Sequence, residues 1–345
     1  MNNEIEFVSS LIQPYPKSHQ QLTFPFESDA EVVKLGSQYL CISQDTVSEE
    51  ISLGLIRHPE TLGWLTVICS LSDLAATGVQ TQGVSVVLGL PTTTLPQFES
   101  QFRHGVEQAL QHHSVALEEY SVFASPHLIT TCTAYALSKA PPPLTRLGLR
   151  EGDILYSTGP FGWGNAVALW NVMADRLSSE IAAKIDAQYR PVPRIKEALF
   201  INKWASTCID SSDGALFTIA LMSELNQIGI HFHYDDKSIH PVALELSRKT
   251  GLPTWLFFAA QNGEFELLFS IPALKHNDFL QASLAEGFHF LRIGEVRGKS
   301  GLTFVGEKKQ LPLDLSPIQN MLYEGINPEQ YVLGLLNYYQ QNLKE

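Results

Sequence analysis

The sequence has few basic residues relative to its acids. Its 345 residues include 23 Lys and Arg against 36 Asp and Glu, so the formal net charge is -13. Nucleic-acid binding usually needs a basic surface, and the densest basic run here is the pair Lys308-Lys309. We therefore expect no nucleic-acid partner.

Long apolar segments are also missing. No window approaches the roughly 18 uninterrupted apolar residues that a membrane-spanning helix needs. The N-terminal segment is polar, contains Pro14, Pro16 and Pro25, and lacks the basic-then-apolar pattern of a secretory signal. These features predict a cytoplasmic protein that does not bind membranes.

Cysteine is scarce, with four residues and no CxxC pair. Each cysteine lies in an apolar segment, where it reads as a small core residue and not as part of a disulfide framework or a zinc site. The four residues are Cys41, Cys69, Cys132 and Cys208.

The length and the patterning predict two α/β domains. A single hydrophobic core stops growing at roughly 250–300 residues, and the best linker candidate is Pro141-Pro142-Pro143. We place an N-terminal α/β domain at residues 1–143 and a C-terminal α/β domain at residues 144–345.

In the first domain we expect strands at 31–43 (two, around Gly36-Ser37), 84–88 and 128–137, and helices at 59–77 and 96–112. In the second we expect strands at 154–157, 207–209, 266–271 and 288–293, a helix from Asn165 and a helix that ends at Gly229.

Four aspartates stand at the ends of these predicted elements. Asp73 lies in the last turns of a helix, where the macrodipole disfavours a carboxylate. Asp213 lies between a strand and a helix, a position typical of a helix cap or an anion-binding helix start. Asp29 and Asp45 are ordinary turn formers. Taken singly, none of the four indicates a metal site.

The sequence motifs around these aspartates resemble those of a known family. Residues 64–78, WLTVICSLSDLAATG, resemble the WKALAVNLSDLAAMG motif of bacterial thiamine-monophosphate kinases, which belong to the AIR synthase superfamily. Residues 42–47, ISQDTV, are similar to the family's ISTDTLV, and residues 208–214, CIDSSDG, resemble AIDLSDG. Residues 263–269, GEFELLF, resemble GEDYELLF, and residues 292–294 match a family strand end. The likeness spans roughly residues 4 to 300.

The resemblance implies a two-domain AIR synthase-like fold of the α/β (α+β) class. It implies a homodimer whose N-terminal domains bind ATP and Mg²⁺, and transfer of phosphate from ATP to a small phosphorylated metabolite, thiamine monophosphate, as in thiamine diphosphate biosynthesis. The Mg²⁺ ligands that it implies are Asp29, Asp45, Asp73 and Asp213, of which Asp73 and Asp213 are also catalytic. It further implies nucleotide contacts by Thr46, Ser212 and Gly214, and a substrate contact by Glu264.

The chain also departs from the family motifs. The family's GDDAAV reads ESDAEV at residues 27–32, and its GGDTTRSP reads EYSVFASP at residues 119–126. Ser121 therefore replaces a metal-binding acid, Ala124 replaces a phosphate-facing arginine, and Thr218 replaces a further acid. Two alternatives follow from these replacements. One is a non-catalytic nucleotide-binding protein, and the other is an ATP-using enzyme of the same superfamily with another substrate.

Three other motifs are weaker. Residues 294–300, GEVRGKS, are one residue short of a P-loop and precede a strand, so we expect a hairpin turn. The glycine-rich residues 159–164 fit a phosphate cradle and a strand-to-helix turn about equally well. His231 and His233 alternate on a predicted strand, where we expect solvated side chains and no metal.

Overall fold

A five-stranded sheet organises the N-terminal half of the protein. The structure is a computed structural model that describes residues 2–94, 96–139, 141–173, 186–306, 310–319, 321 and 325–344. The strands of the first sheet are β1 (Glu31–Leu35), β2 (Gln38–Asp45), β3 (Gly83–Leu90), β4 (Ala116–Ala124) and β5 (Ile129–Ser138). Their order is β1-β2-β5-β3-β4, with β3 and β4 parallel and the other neighbours antiparallel.

A seven-stranded sheet organises the C-terminal half. Its strands are β6 (Ile154–Ser157), β7 (Thr207–Asp210), β8 (Ile228–Phe232), β9 (Leu267–Ile271), β10 (Leu291–Lys299), β11 (Gly301–Val305) and β12 (Gln310–Leu313). Their order is β12-β11-β8-β10-β6-β9-β7, so β7 is an edge strand. The first sheet takes its strands from before Pro141-Pro142-Pro143 and the second from after it.

Helices cover these sheets. The helices of the N-terminal half are α1 (Asn2–Ile12), α2 (Ser48–Ser52), α3 (Pro59–Ala76) and α4 (Pro96–His113). Those described in the C-terminal half are α5 (Trp163–Val172), α6 (Ile195–Ile201), α7 (Ala215–Asn226), α8 (Pro241–Thr250), α9 (Thr254–Ala259), α10 (His276–Ala285) and α11 (Pro328–Asn342). This mixture confirms the α/β (α+β) class.

Helix α3 lies in the middle of the molecule. It begins with Pro59 and is followed by Gly78 at a φ of 73°, as the start and stop signals predicted. Nearly every residue between these ends is buried, because α3 packs against β2 and β5 on one side and against β7 and α6 on the other. Ser70 donates a hydrogen bond to the Cys132 carbonyl, and the Trp64 indole donates one to the Pro191 carbonyl, both at 2.8 Å. The helix therefore joins the two halves through one continuous core.

Two glycines allow α3 and α4 to cross closely. A Cβ atom on Gly63 would lie 1.9 Å from the Phe102 carbonyl oxygen, and one on Gly105 would lie 2.0 Å from the Glu60 carbonyl oxygen. Any side chain at either position would force the helix backbones apart. The pair fixes the position of α3 against the outer helix.

Most predicted elements are present with small shifts of their ends. All four cysteines are buried and unpaired, as expected for core residues. His231 lies on β8, and neither it nor His233 belongs to a group of metal-ligating side chains in the described part of the chain. Among the described residues, no helix is long and apolar enough to cross a membrane.

One strand was missed, and two local expectations were wrong. Strand β4 was not predicted, since Glu118-Glu119 interrupts its apolar alternation beside a register shift in the pairing with β3. Helix α7 ends at Asn226 and not at Gly229, because Gln227 takes the left-handed conformation, with a φ of 52°. Gly229 lies within β8, where a Cβ would be 2.2 Å from the Arg297 carbonyl oxygen.

The second wrong expectation concerns the turn after β10. Ser300 alone separates β10 from β11, but these strands do not pair with each other. They flank β8, antiparallel on one side and parallel on the other. The expected hairpin is absent because another strand lies between its two arms, which a local turn signal does not reveal.

Candidate active site

Three carboxylates meet where the two sheets approach each other. Asp29 precedes β1, Asp73 lies in the last turn of α3, and Asp210 ends β7. One oxygen from each lies within 4.8 Å of the others, close enough to share a cation. The structure thus brings the predicted Asp29 and Asp73 together and adds Asp210.

Neighbouring polar groups hold each carboxylate in place. The Arg146 guanidinium donates to Asp29 Oδ1 at 2.9 Å, and the Ser43 hydroxyl donates to Asp73 Oδ2 at 2.5 Å. The Ser212 hydroxyl donates to Asp210 Oδ1 at 2.9 Å. Asp210 Oδ2 is buried, and it has no hydrogen-bond partner among the described residues. This oxygen is left to receive a ligand.

The cluster concentrates negative charge in a desolvated place. Burial, followed by the charge of Asp29, raises the pKa of Asp210 to about 7. Burial also raises the pKa of Asp73 well above its usual range, and the nearby charges of Asp210, Asp45 and Asp29 add to the rise. Because water is excluded and like charges meet, the cluster favours either protons or a cation.

Asp45 and Asp213 lie next to this cluster. Asp45 is the last residue of β2, and Asp213 is exposed just before α7. Burial raises the pKa of Asp45, and the Asp213 charge contributes in the same direction, which places the two carboxylates near each other. Neither belongs to the group of three within 4.8 Å. Their assignment as metal ligands stays a prediction.

The predicted nucleotide contacts have structural partners of their own. Thr46 donates its hydroxyl to the Thr130 carbonyl on β5. Gly214 has a φ of 79°, and a Cβ there would lie 2.1 Å from the Ala260 carbonyl oxygen. Ser212 holds Asp210, as described above. All three stand at the edge of the acidic site, and their contact with a nucleotide is untested.

Glu264 occupies a different environment from the aspartates. Its Oε2 accepts hydrogen bonds from the backbone N–H of Trp163 at 2.9 Å and of Gly164 at 3.4 Å, at the start of α5. Burial raises its pKa to about 8, although those N–H donors act in the opposite direction. A substrate contact by this buried carboxyl stays a prediction. The glycine-rich residues 159–164 form the strand-to-helix turn whose amides Glu264 binds.

The residues that replace family motif positions lie on different elements. Ser121 and Ala124 are on β4, where the Ser121 hydroxyl donates to Glu119 Oε1 at 2.9 Å. Thr218 is buried in the first turn of α7. None of these three side chains carries a charge.

A cavity of about 270 Å³ opens beside the cluster. Its walls come from α1, α2, α7 and the loop after α9. Polar lining residues include Glu49, Glu50, Arg146, Asp210, Ser212 and Asp213. Among the described residues that line it, Arg146 is the one cation.

Sequence reasoning missed Asp210, Arg146 and Glu50. Asp210 had a usable signal, because it is the first acid of the CIDSSDG segment and ends a strand. Arg146 follows the proline linker and belongs to none of the motifs considered. Glu50 adjoins Glu49 in an ordinary acidic pair. Only the tertiary structure brings the last two to the cavity.

The carboxylate cluster fits a hard divalent cation. Mg²⁺ prefers oxygen ligands, commonly one or two carboxylates with water or phosphate completing its shell. Three carboxylates, an unpartnered buried oxygen on Asp210 and a single neighbouring guanidinium meet these requirements. Asp29, Asp73 and Asp210 are the residues that would hold the ion.

Comparison with known proteins agrees with the fold and with the motifs. Residues 27–122 match the family described as AIR synthase related protein, N-terminal domain. Over these residues the chain is similar to AIR synthase related proteins. Among curated proteins, the thiamine-monophosphate kinase of Escherichia coli strain K12 is 28% identical over 285 residues, which cover 80% of this chain and 85% of that protein.

A second curated relative and a solved structure extend the comparison. The thiamine-monophosphate kinase of Buchnera aphidicola from Acyrthosiphon pisum is 25% identical over 275 residues, covering 78% of this chain and 83% of that protein. The structure of AaThiL complexed with AMPPCP and TMP superposes with a TM-score of 0.72 at 19% identity, covering 91% of this chain and 96% of that one. The structural likeness establishes the two-sheet fold.

Proposed function

We propose that this protein is an ATP- and Mg²⁺-dependent phosphotransferase of the thiamine-monophosphate kinase type. It transfers the γ-phosphate of ATP to thiamine monophosphate and releases thiamine diphosphate and ADP. The observation that carries the proposal is the meeting of Asp29, Asp73 and Asp210 within 4.8 Å. The curated relatives named above bear the name of this activity, and the related AaThiL structure contains AMPPCP and TMP.

The chemistry asks for charge neutralisation and positioning more than for a base. The acceptor is a phosphate monoester whose second pKa is about 6, so it already carries a nucleophilic oxygen at neutral pH. Asp29, Asp73 and Asp210 would hold Mg²⁺, which when bound would supply neutralisation of charge on the transferring phosphate. Asp73 and Asp210 are oriented for this task by Ser43 and Ser212. Asp213 and Asp45 lie beside them, and we propose both as further Mg²⁺ ligands.

The direct test measures ADP formation from Mg-ATP with thiamine monophosphate. We expect Asp73→Asn to lower kcat/KM by at least on the order of 10–100-fold, since it disturbs a metal shell. Asp278→Asn, an exposed acid on α10, is the matched control and should retain the parent rate. Absence of ADP formation by the parent protein, or full activity of Asp73→Asn, would reject the assignment.

A second candidate function is nucleotide binding without turnover. Ser121 and Ala124 favour it, because an acid and an arginine are missing from β4. Calorimetry with ATP, with and without Mg²⁺, would then show Mg²⁺-dependent binding in a protein that forms no ADP. The double substitution Ser121→Asp and Ala124→Arg should raise activity if these losses limit the rate. ATP turnover only with a different acceptor would indicate another superfamily enzyme.

The proposal includes a homodimer formed by the N-terminal halves. The face of the first sheet opposite α3 carries exposed apolar side chains on neighbouring strands, and a second copy of this face would cover them. These side chains are Leu35, Val87, Phe123, Ile129 and Leu137. Light scattering should give twice the chain mass, and Ile129→Glu should reduce it to one chain. A monomeric parent protein would refute this part.

The domain division and the location also belong to the proposal. We place dimerisation, ATP binding and the Mg²⁺ ligands Asp29 and Asp73 in residues 1–143, and the second domain, which adds Asp210, in residues 144–345. The strands that each sheet uses support this division. Unpaired cysteines agree with a reducing compartment such as the cytoplasm. Limited proteolysis near residue 140 and fractionation of cells would test the two statements.

A further inference from the structure

The cavity beside the cluster contains unsatisfied groups of opposite charge. Arg146 Nε is a buried donor and Glu50 Oε2 is a buried acceptor, and neither has a hydrogen-bond partner among the described residues. Both side chains line the same cavity. A buried polar atom without a partner costs free energy, so a ligand that satisfies both atoms gains affinity.

Glu50 defines the acidic end of the cavity. It lies on the short helix α2, and no ion pair in the described part of the chain compensates it. The charges of Asp45, Glu49 and Asp213 all lie close enough to act on it. Glu50 is outside the three-carboxylate group, so a metal held there leaves it uncompensated. Its surroundings favour a cationic or N–H-bearing ligand group.

Arg146 is the one cation among the described residues that line the cavity, and helix α7 contributes Phe217 and Thr218 to its wall. The Arg146 side chain is 15% exposed and is anchored by Asp29 at 2.9 Å. Helix α7 begins at Ala215, and no side chain caps its first amides. The free amides of a helix start and a guanidinium both favour a phosphate. Thr218 carries no charge where the family motif has an acid. One carboxylate fewer therefore repels an anion beside α7.

The size of the cavity limits its occupant. A volume of about 270 Å³ is near the lower limit of small-molecule pockets, which is roughly 300 Å³. This space is comparable with that of one small metabolite. The unpartnered Arg146 Nε and Glu50 Oε2 favour a molecule that carries two opposite charges.

We propose that this cavity binds a small metabolite carrying both a phosphate and a cation, with the phosphate towards Arg146 and the cation beside Glu50. Glu50 is thereby a specificity-determining residue for the acceptor. The inference rests on the proposed function, because thiamine monophosphate combines a phosphate with a positively charged thiazolium ring. It adds a residue that no motif identified.

Calorimetry with three phosphate esters tests the role of Glu50 without catalysis. Thiamine monophosphate and phosphocholine carry a fixed cation, whereas ribose 5-phosphate does not. In the presence of Mg²⁺ and without ATP, we expect Glu50→Gln to weaken binding of the cationic esters at least tenfold. Ribose 5-phosphate should bind the parent protein weakly and should be unaffected. Glu286→Gln removes an exposed charge after α10 and serves as the control for net charge.

Kinetics and a second variant separate recognition from misfolding. Glu50→Gln should raise KM for thiamine monophosphate at least tenfold while kcat and KM for ATP change less than about twofold. Glu50→Asp keeps the charge but withdraws it by one methylene, so it should restore part of the affinity. Unchanged binding of both cationic esters by Glu50→Gln, or an equal loss of ribose 5-phosphate, would overturn the inference.

The inference and the proposed function fail in different ways. Glu50-dependent binding of phosphocholine without any ADP formation from thiamine monophosphate would support the inference and reject the kinase. ADP formation with thiamine monophosphate at a KM that Glu50→Gln leaves unchanged would support the kinase and reject the inference. A parent protein that binds neither cationic ester would reject both.

Discussion

At the scale of single residues, the site depends on carboxylates that the fold holds in an unfavourable place. Asp210 is buried and Asp73 is partly buried close to it, and each accepts a hydrogen bond that orients it. Arg146 offsets part of the charge through Asp29. Metal-free protein therefore carries an electrostatic cost that a divalent cation would relieve.

Replacing Asp210 separates metal binding from folding. Asp210→Asn removes one charge and provides an amide in a crowded acidic site, so we expect the metal-free protein to be at least as stable as the parent. Activity should fall by at least about 10–100-fold, and the rise in Tm on adding Mg²⁺ should disappear. Thermal unfolding with EDTA and with Mg²⁺ measures both effects. A preserved Mg²⁺ response in Asp210→Asn would contradict the assignment.

At the scale of elements, α3 decides how the two halves meet. It packs against both sheets, and it crosses α4 through Gly63 and Gly105. Its start is held by a residue of the C-terminal half, since Asp186 Oδ2 accepts from the backbone N–H of Arg57 at 2.7 Å and of His58 at 3.0 Å. Displacement of α3 would therefore move Asp73 relative to Asp210.

The close crossing of α3 and α4 is sensitive to one methyl group. Gly63→Ala would place a Cβ 1.9 Å from the Phe102 carbonyl oxygen, so the helices must separate. We expect a loss of about 1–3 kcal/mol in the free energy of unfolding. Glu107→Ala, an exposed site on α4, should change it by less than about 0.5 kcal/mol. Urea titration compares the two, and equal stabilities would show that the crossing tolerates expansion.

The cap supplied by Asp186 should also have a measurable effect. Asp186→Ala removes the acceptor of two backbone N–H groups at the start of α3 and of the Asn171 side-chain amide. The expected cost is about 1–3 kcal/mol of unfolding free energy. Asp186→Asn keeps an acceptor oxygen and should retain more of the stability. An identical loss in the two variants would mean that charge, and not hydrogen bonding, is responsible.

At the scale of the whole molecule, part of the excess of acidic over basic residues lies at one site. The formal net charge is -13, and several acids are buried, among them Asp210 in the carboxylate cluster. Burial raises the pKa of Asp210 and of Glu50 to about 7 in each case. The folded state consequently binds more protons than the unfolded chain between pH 4 and pH 7.

This difference in bound protons sets the pH dependence of stability. Stability falls with rising pH wherever the folded state holds more protons, so the metal-free protein should lose stability from pH 5.5 to pH 8. The gap in Tm between the parent and Asp210→Asn should widen over that range, by roughly 2–4 °C for each kcal/mol. Mg²⁺ should restore more stability at pH 8 than at pH 5.5. A gap that is constant with pH would contradict the raised pKa values.

Local signals in the sequence determined most helices and strands, and motifs named two of the three clustered carboxylates, Asp29 and Asp73. The start and stop of α3, the turn at Gly36-Ser37 and most strands follow from periodicity and from proline and glycine placement, which act over a few residues. The family resemblance named Asp29, Asp45, Asp73 and Asp213 as metal ligands, and the structure brings Asp29 and Asp73 within 4.8 Å of each other. Their role as ligands stays a prediction. Composition excluded a basic surface and a long apolar span.

The tertiary structure alone decided which distant residues share the site. Asp210, Arg146 and Glu50 converge because α3 lies between the two sheets and brings β7 beside the start of β1. No local sequence pattern predicts that β8 lies between β10 and β11 in the sheet. Such contacts depend on which apolar faces pack together across the chain, and the free energy of that packing is not encoded in any one segment. The sequence by itself therefore determined the elements and the motif acids, while the fold decided the charge environment in which they work.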